Sequence, residues 1–298
     1  MERTRGYLSS LGLPERDLGE LPTSDKRFSD GAHYRVEIPS VEGPAAFRAV
    51  LETASELGLR VHRISQGSGI MLQTDDEITE MVELGRAHSV EVCLFVGPRA
   101  GWDVGVQVVA FSGRVASGAL RGADQLVYGI EDVVRGCDLG IRSVLVSDIG
   151  QLWVLSKMRA SGDLPPDLEF KASVSFPTAN PATARLLAEL GVTTINLPID
   201  LTLAQTAAIR HAVDVPLDIY VESADDFGGA VRYYEVPEFV RVAAPVHLKF
   251  TVRNAPGIYP SGGHLADVAV ATARERVRRA AIGLSMLTRY FPDAKASP

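Results

Sequence analysis

Cysteine is almost missing from this sequence: Cys93 and Cys137 are the two in 298 residues. Two thiols cannot supply a disulfide framework, a four-cysteine zinc site or an iron–sulfur cluster. Cys93 stands inside an apolar run, which points to inert packing in a reducing compartment. Long apolar runs are lacking as well, since no window approaches the ~20 residues that a bilayer span needs. The start, Met1 to Gly31, is polar and charged rather than leader-like, so a cytoplasmic protein with no membrane partner is expected. Positive charge is also in short supply. Lys and Arg total 30 against 37 Asp and Glu, a net charge of -7, which disfavours a nucleic-acid partner.

Several motifs are missing too. The six histidines are dispersed, without His-x-His or His-Glu-x-x-His spacing. Without a Gly-x-Gly-x-x-Gly turn between strand and helix, or a Walker loop, no nucleotide cofactor is expected. A Gly-x-Ser-x-Gly elbow is absent, which argues against the usual α/β serine hydrolase.

What is present is an alternation. Residues 1–31 carry no sustained apolar period and read as an N-terminal arm with one short helix. From residue 32 to 298, short β-branched runs alternate with longer segments of helical period, the pattern of a parallel sheet wrapped by helices. Eight runs are found, at 34–38, 60–64, 91–96, 143–147, 169–174, 193–197, 217–221 and 246–251. Eight is the number that closes a (β/α)₈ TIM barrel.

Helix signals support the alternation. Thr74 with Glu77, and Thr202 with Gln205, each form a capping box. Asn180 before Pro181 reads as an N-cap followed by a first-turn proline, and Gly58, Gly140 and Gly191 stand where helices end before strands two, four and six. A last amphipathic helix, 267–290, carries Arg274, Arg276, Arg278 and Arg279 as a solvated face. One connection breaks the rhythm, an insertion at 97–140 between strands three and four. It reads as an alternating hairpin or lid over 102–119 and a helix over about 124–135.

In such a barrel the active site lies at the carboxyl ends of the strands. A charge inside an apolar strand is costly unless paired, so Glu37, Lys171, Glu222 and Lys249 each need a reason. Glu37 and Glu222 suit a general acid and base, or, with Asp148, oxygen ligands of a divalent metal. Lys171 suits an electrophile or nucleophile. Lys249 could also form a Schiff base but is favoured as an anion clamp with Arg63 and Arg253, with Gln66 and Asn196 as further substrate contacts. His62 and His247 read as satisfied buried histidines, and because His62 alternates with Arg63, Arg63 is expected to face inward. The glycines after strands two, seven and eight expose backbone donors of the kind that hold phosphate or carboxylate.

From Leu139 to Ile209 the chain runs LGIRSVLVSDIGQLWVL, then FKASVSFPTANPATARLLAELGVTTINLPIDLTLAQTAAI. A strand ending in Ser-Asp, a polar strand with Ser and Asn, and a helix ending in Glu-Leu-Gly resemble the barrel region of the U32 peptidase-like proteins. That resemblance implies a U32-like barrel. At strand seven, LDIYVESADDFGG places Glu222 at the family's acidic position but lacks the His and Cys that follow it there. The expectation is an enzyme, a U32-like hydrolase or a carbon–carbon or carbon–oxygen lyase, acting on a small anionic substrate. The alternative is a non-catalytic barrel that binds a small ligand or a partner protein; a homo-oligomer is compatible with either.

Overall fold

The computed structural model describes residues 2–17, 19–99, 118–176 and 178–298. Its centre is a closed barrel of eight parallel strands in sequence order. They are β1 (Tyr34–Pro39), β2 (Arg63–Gln66), β3 (Glu91–Phe95), β4 (Ser143–Val146), β5 (Glu169–Ala172), β6 (Thr194–Asn196), β7 (Leu217–Glu222) and β8 (Val246–Phe250). After the arm helix α1 (Glu2–Ser10), the helices between strands are α2 (Pro44–Glu56), α3 (Asp75–His88), α4 (Gly122–Asp138), α5 (Ile149–Ser161), α6 (Pro181–Glu189), α7 (Leu203–Ala212) and α8 (Val236–Ala243), and α9 (Ala266–Tyr290) closes the ring. The segment expected to form a hairpin or lid, 102–119, lies outside the described residues except for its last two.

Local chemistry accounts for the boundaries. Both capping boxes form, Thr74 with Glu77 and Thr202 with Gln205, and Asn180 accepts the Thr183 N–H ahead of a first-turn proline. Gly58, Gly140 and Gly191 take φ of 63°, 98° and 88°, a region that only glycine occupies without steric cost. Strand β2 starts later than the 60–64 run. The Nδ1 of His62 accepts the Val36 N–H at 2.9 Å, so a side chain occupies a β1 donor and the ladder opens at Glu37 with Arg63.

The main apolar core lies between sheet and helices, with Ile38, Ile64, Val144, Phe170, Ile195, Val221 and Leu248 on the outer face of the strands. The barrel interior differs. Partner positions place Glu37, Arg63 and Glu91 in one line, then Ser65, Cys93, Ser143 and Glu169, then Leu145, Lys171 and Thr194. Asn196, Asp218 and His247 follow, and Tyr220 and Lys249 return to Glu37. Branched aliphatic side chains usually fill these layers; among the residues just named, Leu145 alone is aliphatic. The arm covers the amino-terminal end, where the Phe28 ring meets His247 edge-on at 5.2 Å. Lys26 fastens the arm by donating to the carbonyls of Arg210 and Val213 at the end of α7.

Candidate active site

Low in the barrel the charges form one network. Arg63, from β2, points inward and reaches Glu37 and Asp218 at 3.3 Å each and Glu91 at 2.8 Å. Lys171 bridges Glu37, in a short contact, and Asp218 at 2.9 Å. Thr194 donates to Asp218 at 2.6 Å and Ser65 to Glu37 at 2.7 Å, while His247 Nδ1 lies 2.9 Å from Asp218. Burial would raise both carboxyls, but Lys171 above all, with Lys249 and Arg63 beside Glu37 and with His247 and Arg63 beside Asp218, holds both well below the usual range. Burial, followed by Arg63, lowers His247, with Asp218 opposing them.

Above this network opens a cavity of about 240 Å³, at the carboxyl ends of the strands. Lys249 forms part of its floor. The ammonium donates to Asn196 Oδ1 at 2.7 Å, lies 3.2 Å from Glu37, and sits 4.3 Å from the centre of the Tyr220 ring. The walls are Phe95, Leu145 and Tyr259, with Ser65, Ser173, Ser175 and Thr251 as polar points. Arg99 also lines it, stacked 3.9 Å over Phe95 and donating to the carbonyls of Gly67 and Ser68. Burial pulls Arg99 down to about 10, which leaves it charged at neutral pH. A larger cavity, about 520 Å³, opens between α3 and the amino-terminal ends of β3 and β4, lined by Arg86, Glu91 and Arg142. Catalytic residues of such barrels stand at the other end of the strands, so the mouth cavity is the candidate.

The residues singled out in the sequence thus separate into groups. Glu37, Lys171, Lys249 and Asn196 come together. Arg63 is part of the same cluster but lies beneath the floor with its guanidinium held by Glu37, Glu91 and Asp218 and with Glu169 at 4.0 Å, so an anion clamp made from it is corrected to an internal anchor. Gln66 borders the cavity, yet its amide is folded back onto both backbone groups of Gly69. Arg253 is half exposed in an ion pair with Asp225 at 2.8 Å, away from the cavity.

Glu222 is turned away from Glu37 by one residue of register. Tyr220 pairs with Lys249, but Glu222 pairs with Phe250, so Val221 is an extra residue in β7. Such a bulge re-aims the side chain that follows it. Glu222 consequently faces the helix layer, where it accepts the Tyr233 hydroxyl in a short bond and the Arg253 N–H at 2.9 Å, and lies 3.4 Å from Arg279 on α9. The proposed acid–base pair of Glu37 and Glu222 is not assembled. Neither is the metal set of Glu37, Asp148 and Glu222: Asp148 caps α5 through the Gln151 N–H and holds the Leu120 N–H. Among the described residues no three His, Cys, Asp or Glu side chains gather to hold a metal.

Asp218 was missed although it stands two residues before Tyr220 in the inward phase, the signal that could have revealed it. Arg276, expected on a solvated face, is buried and donates to the Ser40 carbonyl at 3.0 Å. The glycine hint has a structural explanation at β2. The Gly67 and Ser68 N–H groups donate to Glu42 at 2.7 and 3.2 Å, and a Cβ on Gly67 would lie 2.3 Å from the Tyr259 ring. Close approach of Tyr259, rather than an anion, accounts for Gly67.

Fold and site together define a (β/α)₈ barrel with a polar interior and a small cavity at its mouth. Residues 119–225, from before α4 to just past β7, match Peptidase family U32, and over that stretch the chain is similar to the family. A solved U32 peptidase is similar at 16% identity and a TM-score of 0.46, covering 80% of this chain and 98% of its own. A protein described as a fructose-1,6-bisphosphate aldolase from Coccidioides immitis is similar at 12% identity and a TM-score of 0.54, covering 87% and 92%. At these identities the likeness concerns the fold alone. No curated protein sequence matches the chain. No helix among the described residues is long and apolar enough to cross a membrane.

Proposed function

We propose that the protein is an enzyme, a hydrolase or a lyase, acting on a small carboxylate- or phosphate-bearing molecule in the mouth cavity. The observation that carries this is the fully buried ammonium of Lys249 on the cavity floor. Its nearest polar partner is a neutral amide, and among the described residues the one carboxylate paired with it, Glu37, is shared with Lys171 and Arg63. An anionic ligand would complete its coordination in a setting of low dielectric, where such contacts are strong. Arg99 adds a second positive charge. Size points the same way: about 240 Å³ is below the roughly 300–1,000 Å³ of sites for drug-sized ligands and suits a metabolite. Lys249 is the residue that meets substrate, Asn196 orients it, and Glu37, itself held by Lys171, holds it from below. Both cysteines are free and buried, which fits a reducing cytoplasm.

Thermal-shift measurements with small carboxylates and phosphates test this reading. Stabilisation is expected for at least one of them, lost in Lys249→Met and kept in Arg253→Met. Failure of every small anion to stabilise the protein would remove the proposal; stabilisation with no turnover of any stabilising compound would leave a binding barrel instead.

A further inference from the structure

The chain has 30 basic residues, of which five are lysine: Lys26, Lys157, Lys171, Lys249 and Lys295. Arginine is its ordinary cation, inside the barrel as outside, as Arg63 shows. Yet two of the five lysines are fully buried in the interior and share one carboxylate, Glu37. For charge pairing alone arginine is the better buried cation; what an ammonium adds is an amine that can react. Of the two, Lys171 is enclosed between Glu37 and Asp218, whereas Lys249 borders the cavity.

Resting on the small-anion reading above, we infer that Lys249 is a covalent nucleophile that forms an imine with a small oxo acid, an aldehyde or ketone carrying a carboxylate. The lysine has surroundings such chemistry uses, burial away from water and a second cation close by. The walls are Phe95 and Leu145, and the neighbouring cation is Lys171. The step balances without a co-reactant. The nitrogen forms a bond to the carbonyl carbon, both bonds from that carbon to its oxygen break, and two of the three ammonium protons leave on the oxygen as water. The positive charge stays on the nitrogen as the protonated imine, so Glu37 and the Tyr220 ring face a cation before and after the step. Asn196 Oδ1 can keep accepting from the remaining N–H. A protonated imine is an electron sink for cleavage of an adjacent carbon–carbon bond, which assigns the site to a lyase rather than to a hydrolase.

The test is reductive trapping on the full-length protein. Wild type is incubated separately with pyruvate and with glyoxylate, treated with sodium borohydride, weighed intact and mapped by proteolysis. One adduct per chain is expected, on Lys249, with labelling an order of magnitude above that of exposed Lys157. Lys249→Arg keeps the cation and removes the nucleophile, so it should still be stabilised by the oxo acid but not trapped. Adducts confined to Lys171 or to exposed lysines overturn the assignment. Thermal stabilisation by pyruvate or glyoxylate with no adduct at Lys249 overturns the imine and leaves the small-anion site standing. Neither stabilisation nor an adduct with either compound overturns the imine as well, and if other small anions also fail to stabilise the protein the site falls with it.

Discussion

The two ends of the barrel interior treat charge differently. At the floor, Arg63, Lys171, Glu37, Asp218 and Glu91 are ion-paired with one another, although Arg63 Nε and Glu91 Oε1 make no hydrogen bond, and the arm covers them from below. At the mouth, Lys249 has an amide and a shared carboxylate beneath it and a cavity above it. The number of charges does not mark the site, for the floor holds more of them. A charge that has ion partners on one side and a cavity on the other is the better sign, because an enclosed network leaves no room for a ligand.

Asp218→Ala tests the floor and should have the largest effect. It leaves Lys171 and Arg63 short of a carboxylate in a closed interior, and removing one partner from a buried pair costs about 3–5 kcal/mol, read from urea unfolding. A loss under about 1 kcal/mol would show that the floor charges do not depend on Asp218 for their pairing.

Asp132 sharpens the contrast near the mouth. It accepts the Gly97 N–H at 3.0 Å, and burial, opposed by that bond and by Arg135, raises its carboxyl to about 6 from 3.8. The floor carboxyls are pushed the other way by their cations. A carboxyl raised on folding favours the protonated folded state. Its contribution is therefore present in full below pH 3.8, is lost as pH rises through 6, and is absent at pH 7. Asp132→Asn should remove this dependence. Between pH 4 and pH 7 the stability of wild type relative to the variant should fall by about 2–3 kcal/mol. A difference that is flat over this range would mean that Asp132 is not held in the protonated form.

Glu222→Gln separates the helix-layer carboxylate from the interior ones. It keeps the shape and weakens the bonds to Tyr233 and Arg279, so a cost of about 1–2 kcal/mol is expected, with no change in stabilisation by small anions. Lost anion binding with stability intact would return Glu222 to the site. The smallest effect belongs to Arg253→Met, within about 0.5 kcal/mol, since its pair with Asp225 is half exposed; a large loss of ligand stabilisation there would move the site out over the β7 and β8 loops.

Much of the fold could be read directly from residue order. Eight β-branched runs, two capping boxes, the Asn180–Pro181 start and the glycines before strands two, four and six are short-range signals, and all are realised. The site was legible in part. The cost of a charge in an apolar strand marked Glu37, Lys171 and Lys249, and alternation favoured Arg63 over His62 as the inward residue, but alternation holds only while the register is regular. At Val221 it is not, and Glu222 turns outward.

What residue order determined by itself was the set of elements, because period, caps and turn residues act within a few positions of one another. What only the tertiary structure decided was which charges meet. Arg63 and Asp218 are 155 residues apart, and Arg276 and Ser40 are 236 apart. Barrel closure and the stagger of its strands bring such pairs together, and neither is written in any local stretch. The difference between an enclosed, ion-paired floor and an open mouth therefore came from packing, where the same residue types acquire different partners.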